Sequence, residues 1–268
     1  MDDHPPSRKR GRDNNSQHVT GRERTTLQMG APPQIANDTA VASRTAAGGG
    51  ACLRKGMVLL KGFLSAQEQT ELVAHVDRLG VLQHGGFYSC HNEKTKRMRM
   101  MNLGLKTDGK KHASQIPRAW AELALRACHL AAGADPSIPI LRPDICVVNH
   151  YTSASRLGWH QDLFSARDPG LPVISLSLGQ PATFQYRVSW KKTAAIKSVR
   201  LESGDALVFG GRSRGIIHGV PGIDASASAS STHRAAAAAG SEEDRGAGFV
   251  SPCVVPGGGR FNLNFREL

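Results

Sequence analysis

The chain has 268 residues, with 34 Lys and Arg against 22 Asp and Glu, for a formal charge of +12. A core of this size folds without staples, and the five scattered cysteines (Cys52, Cys90, Cys128, Cys146, Cys253) include no Cys-x-x-Cys pair to suggest a zinc site or redox couple, so structural thiols in a reducing compartment are expected. No apolar run approaches a bilayer span and no secretory signal is recognisable, so a soluble intracellular protein of nucleus or cytoplasm is expected, with a charge that suits a polyanionic partner.

Residues 1–50 are rich in Gly, Pro, Asn, Ser, Thr and Arg and poor in large apolar side chains, so they cannot offset the entropy cost of ordering. They are expected to form a disordered basic tail. Order is expected from Gly56-Met57-Val58-Leu59-Leu60, a strand, after which Ser65 and Glu68 form a capping box that opens a helix. Leu72, Val73, Val76 and Leu79 make its buried stripe and Gly80 closes it. A second helix starts near Pro117, turns Trp120, Leu123, Ala127 and Leu130 inward, and stops at Gly133. From Asp144 onward short β-rich runs at 145–151, 172–178, 183–188, 198–201, 206–209 and 261–265 alternate with turn residues, which means a sandwich or barrel. A low-complexity stretch at about 224–248 reads as an insertion in a surface loop.

Chemistry concentrates in the second half. His160 and Asp162, in Gly158-Trp159-His160-Gln161-Asp162, stand two residues apart, so in a strand or at its end both project from one face. His218 follows in Arg214-Gly215-Ile216-Ile217-His218-Gly219. Two neutral imidazoles and one carboxylate occupy one face of an octahedron and leave three positions open, the arrangement of a non-haem Fe(II) centre that takes a keto acid and O2. In Arg260-Phe261-Asn262-Leu263-Asn264-Phe265-Arg266 the polar and apolar residues alternate, so Arg260, Asn262, Asn264 and Arg266 share one face. Buried guanidinium groups need acidic partners, which a dicarboxylate supplies; Asn149 and Tyr151 project together and can hydrogen-bond the same ligand.

With these pieces assembled, the chain resembles the AlkB family of Fe(II)/2-oxoglutarate dioxygenases. The resemblance is carried by Asn149-His150-Tyr151, His160-Gln161-Asp162, the run from Pro172 to Gly179, Phe184-Gln185-Tyr186, Gly204-Asp205, Gly210-Gly211-Arg212-Ser213-Arg214, His218-Gly219 and the closing Arg260 to Arg266 segment. It implies a mainly β fold with flanking helices and a double-stranded β-helix (jelly-roll) core over 143–268, preceded at 51–142 by helical support and a nucleotide-recognition region. It implies Fe(II), 2-oxoglutarate and O2 as cofactor and co-substrates. His160, Asp162 and His218 would hold iron, and Asn149, Tyr151, Arg260, Asn262 and Arg266 would bind 2-oxoglutarate, with Arg266 on its distal carboxylate. The implied reaction is oxidative demethylation of N-alkylated bases in DNA or RNA with release of formaldehyde, by a monomer that needs no membrane, as in DNA repair or RNA modification.

Base and phosphate contacts are expected from Gly85-Gly86-Phe87-Tyr88 and from the basic stretch that follows it, with Tyr88, Lys94, Lys96, Arg97 and Arg99 as candidates. The acidic residue that repair members carry two positions after the metal Asp is replaced here by Phe164, which can stack on a base. Leu105 stands where repair members have an aromatic residue, and the lid that follows is short. Two other readings share these residues: the same oxygenase chemistry on a protein or small molecule, and a non-catalytic nucleic-acid-binding relative.

Overall fold

The computed structural model describes residues 50–90, 95–163, 165, 168–224 and 253–268. The expected tail, except for Gly50, and the 224–248 insertion, except for Asp224, lie outside the described residues, as do Lys94 and Phe164. Among the described residues no helix is long and apolar enough to cross a membrane.

Two short strands, β1 (Ala51–Arg54) and β2 (Met57–Leu60), lead into helix α1 (Ala66–Gly80). Ser65 opens α1 with a reciprocal cap: its hydroxyl accepts from the Glu68 N–H at 3.2 Å and the Glu68 carboxylate accepts from the Ser65 N–H at 2.8 Å. Such a cap contributes about 1 kcal/mol. Arg126 donates to Glu68 at 2.7 Å and, with the cap, holds its carboxyl below the usual glutamate range. Gly80 closes the helix by packing and not as a left-handed cap: a Cβ there would stand 2.4 Å from the Phe87 ring, and Val81 ends the helix with φ −89°.

The second helix, α2 (Arg118–Ala134), buries Trp120, Ala124, Ala127, Cys128 and Ala131. It runs one residue past Gly133, and Leu130, expected inward, is 44 % exposed. The correction follows from helical geometry: Leu130 precedes Ala131 on the buried stripe and is therefore turned about 100° from it.

The remaining strands are β3 (Tyr88–Cys90), β4 (Thr95–Lys96), β5 (Met98–Gly104), β6 (Ile145–Tyr151), β7 (Arg156–His160), β8 (Val173–Gly179), β9 (Ala182–Arg187), β10 (Lys197–Leu201), β11 (Ala206–Phe209), β12 (Ile217–Val220) and β13 (Arg260–Arg266). They form a large antiparallel sheet in the order β1-β2-β11-β8-β13-β6-β5-β3 and a smaller one in the order β10-β9-β12-β7-β4. The two sheets make the jelly-roll core. Strand periodicity divides its apolar residues. Val58, Leu60, Leu176, Phe261, Leu263 and Phe265 pack under the helices with Val76, Trp120 and Ala127, whereas Met57, Leu59, Leu207 and Phe209 meet Phe184 and Tyr186 of the small sheet.

The inner face of the large sheet turns polar towards β6 and β13. In register across it run Tyr88, Met100, Asn149, Asn262 and Ser177, and one rung on Asn102, Val147, Asn264 and Ser175. A jelly roll with polar groups on an inner face must surround something other than a dry core.

Candidate metal centre

A cavity of about 630 Å³ opens between the sheets over these polar rungs. His160 is the last residue of β7, Asp162 follows just past the strand end, and His218 on β12 pairs directly with His160. Their rings stand 4.3 Å apart between centroids, and Nε2 of His218 lies 3.6 Å from a carboxylate oxygen of Asp162. One ligand atom from each of the three lies within 4.8 Å of the others. Close approach of the strands makes this possible: a Cβ on Gly219 would meet the Leu157 carbonyl at 2.8 Å.

Both imidazoles are oriented by backbone. Nδ1 of His160 lies 2.9 Å from the Gly158 carbonyl and Nδ1 of His218 3.4 Å from that of Ile216. A carbonyl only accepts, so the proton sits on Nδ1 and Nε2 is left for a metal. Burial lowers the His218 pKa to about 4, which keeps the ring in the neutral form that ligation requires. Burial opposes ionisation of Asp162, yet the adjoining His218 and His160 rings and the guanidinium groups of Arg266 and Arg214 together hold its carboxyl below the ordinary range.

Arg214 is a positioning residue that the sequence reading did not single out. Buried, it donates through Nε to the Leu171 carbonyl at 2.8 Å, through Nη1 to the Asp162 carbonyl at 3.3 Å, and through Nη2 to the Leu163 carbonyl. It thus pins the backbone that carries Asp162. Arg214→Met is expected to weaken metal binding about 10- to 100-fold, the usual effect of losing a group that orients a ligand, as read by titration with Fe(II) or Mn(II). Unchanged affinity would mean that the loop holds itself.

The polar end of the cavity contains an unusual charge. Arg260 is 2 % exposed and donates only to neutral acceptors, Ser177 Oγ at 2.6 Å and the carbonyls of Gln180 and Leu201 at 3.2 and 3.5 Å. No carboxylate among the described residues pairs with it, and burial draws its pKa down to about 10, still protonated at neutral pH. Beside it the Tyr151 hydroxyl is buried without a partner, as are Asn149 Oδ1 and the Nε atoms of Arg260 and Arg266. Four orphaned polar atoms around one cavity are the mark of a polar ligand, and two guanidinium groups make that ligand an acid.

Two expectations for the keto-acid residues are corrected. Arg266 does not stand at the distal end, because its Nη1 lies 3.4 Å from Asp162. It belongs to the metal end, and Arg260 occupies the far one. Asn262 has no N–H left for a carboxylate: its amide donates to Ser175 Oγ at 2.7 Å and to the Leu176 carbonyl at 3.0 Å, and its Oδ1 accepts from Asn264 at 2.8 Å. It braces the sheet beneath the cavity.

The expected nucleic-acid residues divide. Tyr88 lines the cavity, half exposed. Arg99 does not, since on β5 it alternates with Met100 and lies over the outward Phe87 ring at 5.1 Å from its centroid. Arg97 takes a left-handed conformation (φ 51°) in the turn before β5 and also stays outside the lining, and Lys96 lies in β4, paired with Arg156 of β7. Lys106 of the expected basic stretch also lines the cavity, and so do Asn102 and His112, which were not named as candidates. Only the sheet register could have found Asn102, because β5 reads as an undivided basic and Met-rich run.

A jelly roll whose two sheets converge two histidines and an aspartate on a cavity with buried arginines defines the centre of an Fe(II)/2-oxoglutarate oxygenase, and residues 56–266 match the family model of the 2OG-Fe(II) oxygenase superfamily. Within that superfamily the chain belongs to the AlkB family. It is 32 % identical to the solved structure of OsALKBH1, with a TM-score of 0.63, covering 80 % of this chain and 99 % of that one. Over 202 residues it is 39 % identical to the DNA N(6)-methyladenine demethylase ALKBH1C of Arabidopsis thaliana, covering 65 % of this chain and 44 % of that protein. Over 110 residues it is 37 % identical to the alpha-ketoglutarate-dependent dioxygenase AlkB of Escherichia coli, covering 41 % and 48 %. The chain thus spans less than half the length of the curated relatives it matches.

Proposed function

We propose that this chain is an Fe(II)- and 2-oxoglutarate-dependent dioxygenase that removes N-methyl groups from bases in nucleic acid, with N6-methyladenine in DNA as the leading substrate. The observation that carries the reading is the pairing, in one cavity, of a His-Asp-His cluster with a buried Arg260 that no carboxylate among the described residues pairs with. His160, Asp162 and His218 would hold the metal on one side and leave its cavity side open. Arg260 and the Tyr151 hydroxyl would take the distal carboxylate, and Arg266, beside Asp162, would steady the keto-acid end. Bound there, Fe(II) and 2-oxoglutarate supply the O2-dependent oxidation of a C–H bond, with the keto acid ending as succinate and carbon dioxide and the methyl group as formaldehyde. Met100, Leu105 and Leu157 wall the cavity with apolar surface that keeps water from the reacting groups.

The substrate class is supported by the relatives' activities and by positive charge at the mouth, where Lys106 and His112 line the rim and Lys110 and Lys111 follow on the same turn. The decisive assay supplies purified protein with Fe(II), 2-oxoglutarate and a panel of methylated DNA and RNA oligonucleotides, and reads succinate and formaldehyde together. Equal release of both with one modified base establishes the demethylase. Succinate without formaldehyde from any oligonucleotide would move the target to a protein or small molecule, and a binding constant flat between 50 and 200 mM salt would say the same, because each phosphate contact adds to the salt slope.

A further inference from the structure

Beyond Asn149 the cavity floor continues onto β5 and β3, where Asn102 and Tyr88 line it side by side. Nδ2 of Asn102 donates to the Tyr88 hydroxyl at 2.8 Å. That bond sets the remaining capacity of the pair: the Tyr88 hydroxyl keeps its proton to donate, and the Asn102 Oδ1 stays an acceptor. The strand β3 lies two strands, or about 10 Å, from β6, where the keto-acid groups begin. This span accommodates one planar base, with Met100 on the floor between and Leu105 and Leu157 at its sides.

Resting on the proposed demethylase activity, we infer that the Asn102–Tyr88 pair reads the alkylated edge of the target base and selects neutral bases that retain an amine N–H over bases made cationic by alkylation of a ring nitrogen. A base methylated on its exocyclic amine keeps one N–H, for Asn102 Oδ1, next to a ring nitrogen that accepts from Tyr88. A base methylated on that ring nitrogen has lost the acceptor and gained a positive charge. Among the described residues nothing in this part of the cavity compensates such a charge. The pair is neutral, Lys106 and His112 are cationic or can become so, and among the described residues the only side-chain carboxylate lining the cavity besides Asp162 of the metal cluster is that of Glu267, which accepts the Arg142 backbone N–H at 2.7 Å. The sequence points to Tyr88 alone, and its partnership with Asn102, 14 residues away, arises only through the β3–β5 register.

The test compares two oligonucleotides of one sequence, carrying either N6-methyladenine or N1-methyladenine, with the parent protein, Asn102→Asp and Tyr88→Phe. Two readouts are taken: kcat/KM from formaldehyde release, and affinity for the metal-free protein from fluorescence anisotropy. The parent should favour the neutral base. Asn102→Asp places a carboxylate of nearly the same shape against the charge and should shift the preference towards the cationic base by about tenfold or more in both readouts, the effect of one charge-assisted hydrogen bond. Tyr88→Phe should weaken the neutral base about threefold to tenfold without helping the cationic one. If the parent demethylates but neither variant moves the ratio or the metal-free affinity, base selection lies elsewhere and the inference is overturned. If the parent releases no formaldehyde from any base, it is the demethylase reading that fails. Melting temperature controls for folding, and should Asn102→Asp fail to fold, Tyr88→Phe decides alone.

Discussion

Asp162→Ala is expected to lower 2-oxoglutarate turnover by at least about 100-fold and to abolish stoichiometric Fe(II) binding, a loss larger than that of any group that merely orients a ligand. The cluster is His160, Asp162 and His218, and among the described residues no other group of His, Cys, Asp or Glu side chains converges in this way. The alanine variant leaves two neutral imidazoles and no anion for a divalent hard-to-borderline ion. It also removes the carboxylate that stands 3.4 Å from Arg266 Nη1, so the guanidinium charges of Arg266 and of Arg214, which is bonded to the same backbone, lose the anion that offsets them. Metal content and succinate release measured on the same preparation separate binding from chemistry. Turnover within tenfold of the parent would remove Asp162 from the ligand set.

The second large effect concerns Arg260. Arg260→Met should raise the KM for 2-oxoglutarate by about 100-fold or more, since breaking a buried charge pair by deleting one partner costs about 3–5 kcal/mol. The same substitution should leave the ligand-free protein as stable as the parent or more so. Arg260 is held by one hydroxyl and two carbonyls without a countercharge, so its desolvation is only partly offset until the acid binds. Addition of 2-oxoglutarate should therefore raise the melting temperature of the parent and have little effect on the variant. Arg266→Met provides the contrast, with its main effect on metal and turnover. The reverse result, a KM unchanged in Arg260→Met and greatly raised in Arg266→Met, would return the distal carboxylate to Arg266.

The contrast between the two arginines shows how far strand alternation can be taken. Period 2 places Arg260, Asn262, Asn264 and Arg266 on one face of β13, and all four line the cavity. It is silent on which end of that face meets the metal. The answer depends on where β7 and β12 cross above the large sheet, and they bring Asp162 over Arg266. Asn262 shows the same limit, because its amide is consumed by Ser175 and Leu176 of the neighbouring β8, 87 and 86 residues away.

Local patterns fared well wherever the physics is local. The Ser65–Glu68 cap, the stripe of Leu72, Val73 and Val76, the alternation in β13 and the two-residue step from His160 to Asp162 each depend on bond geometry within one turn or one strand, so residue order suffices. Leu130 was misplaced for the converse reason, since the precise azimuth of α2 against the sheet decided it, and Gly80 ends α1 as expected but does so through the Phe87 ring packed against it. The pairing of His218 with His160, the clamp of Arg214 on the Asp162 backbone, the bonds of Arg260 to Ser177, Gln180 and Leu201 and the meeting of Asn102 with Tyr88 join residues 14 to 83 positions apart. Such meetings are set by antiparallel register and by burial, quantities that exist only once the sheets have closed on each other. The chemistry of the site is therefore written in the order of its residues, while the direction of the ligand within it, and the face it turns to a base, come from packing.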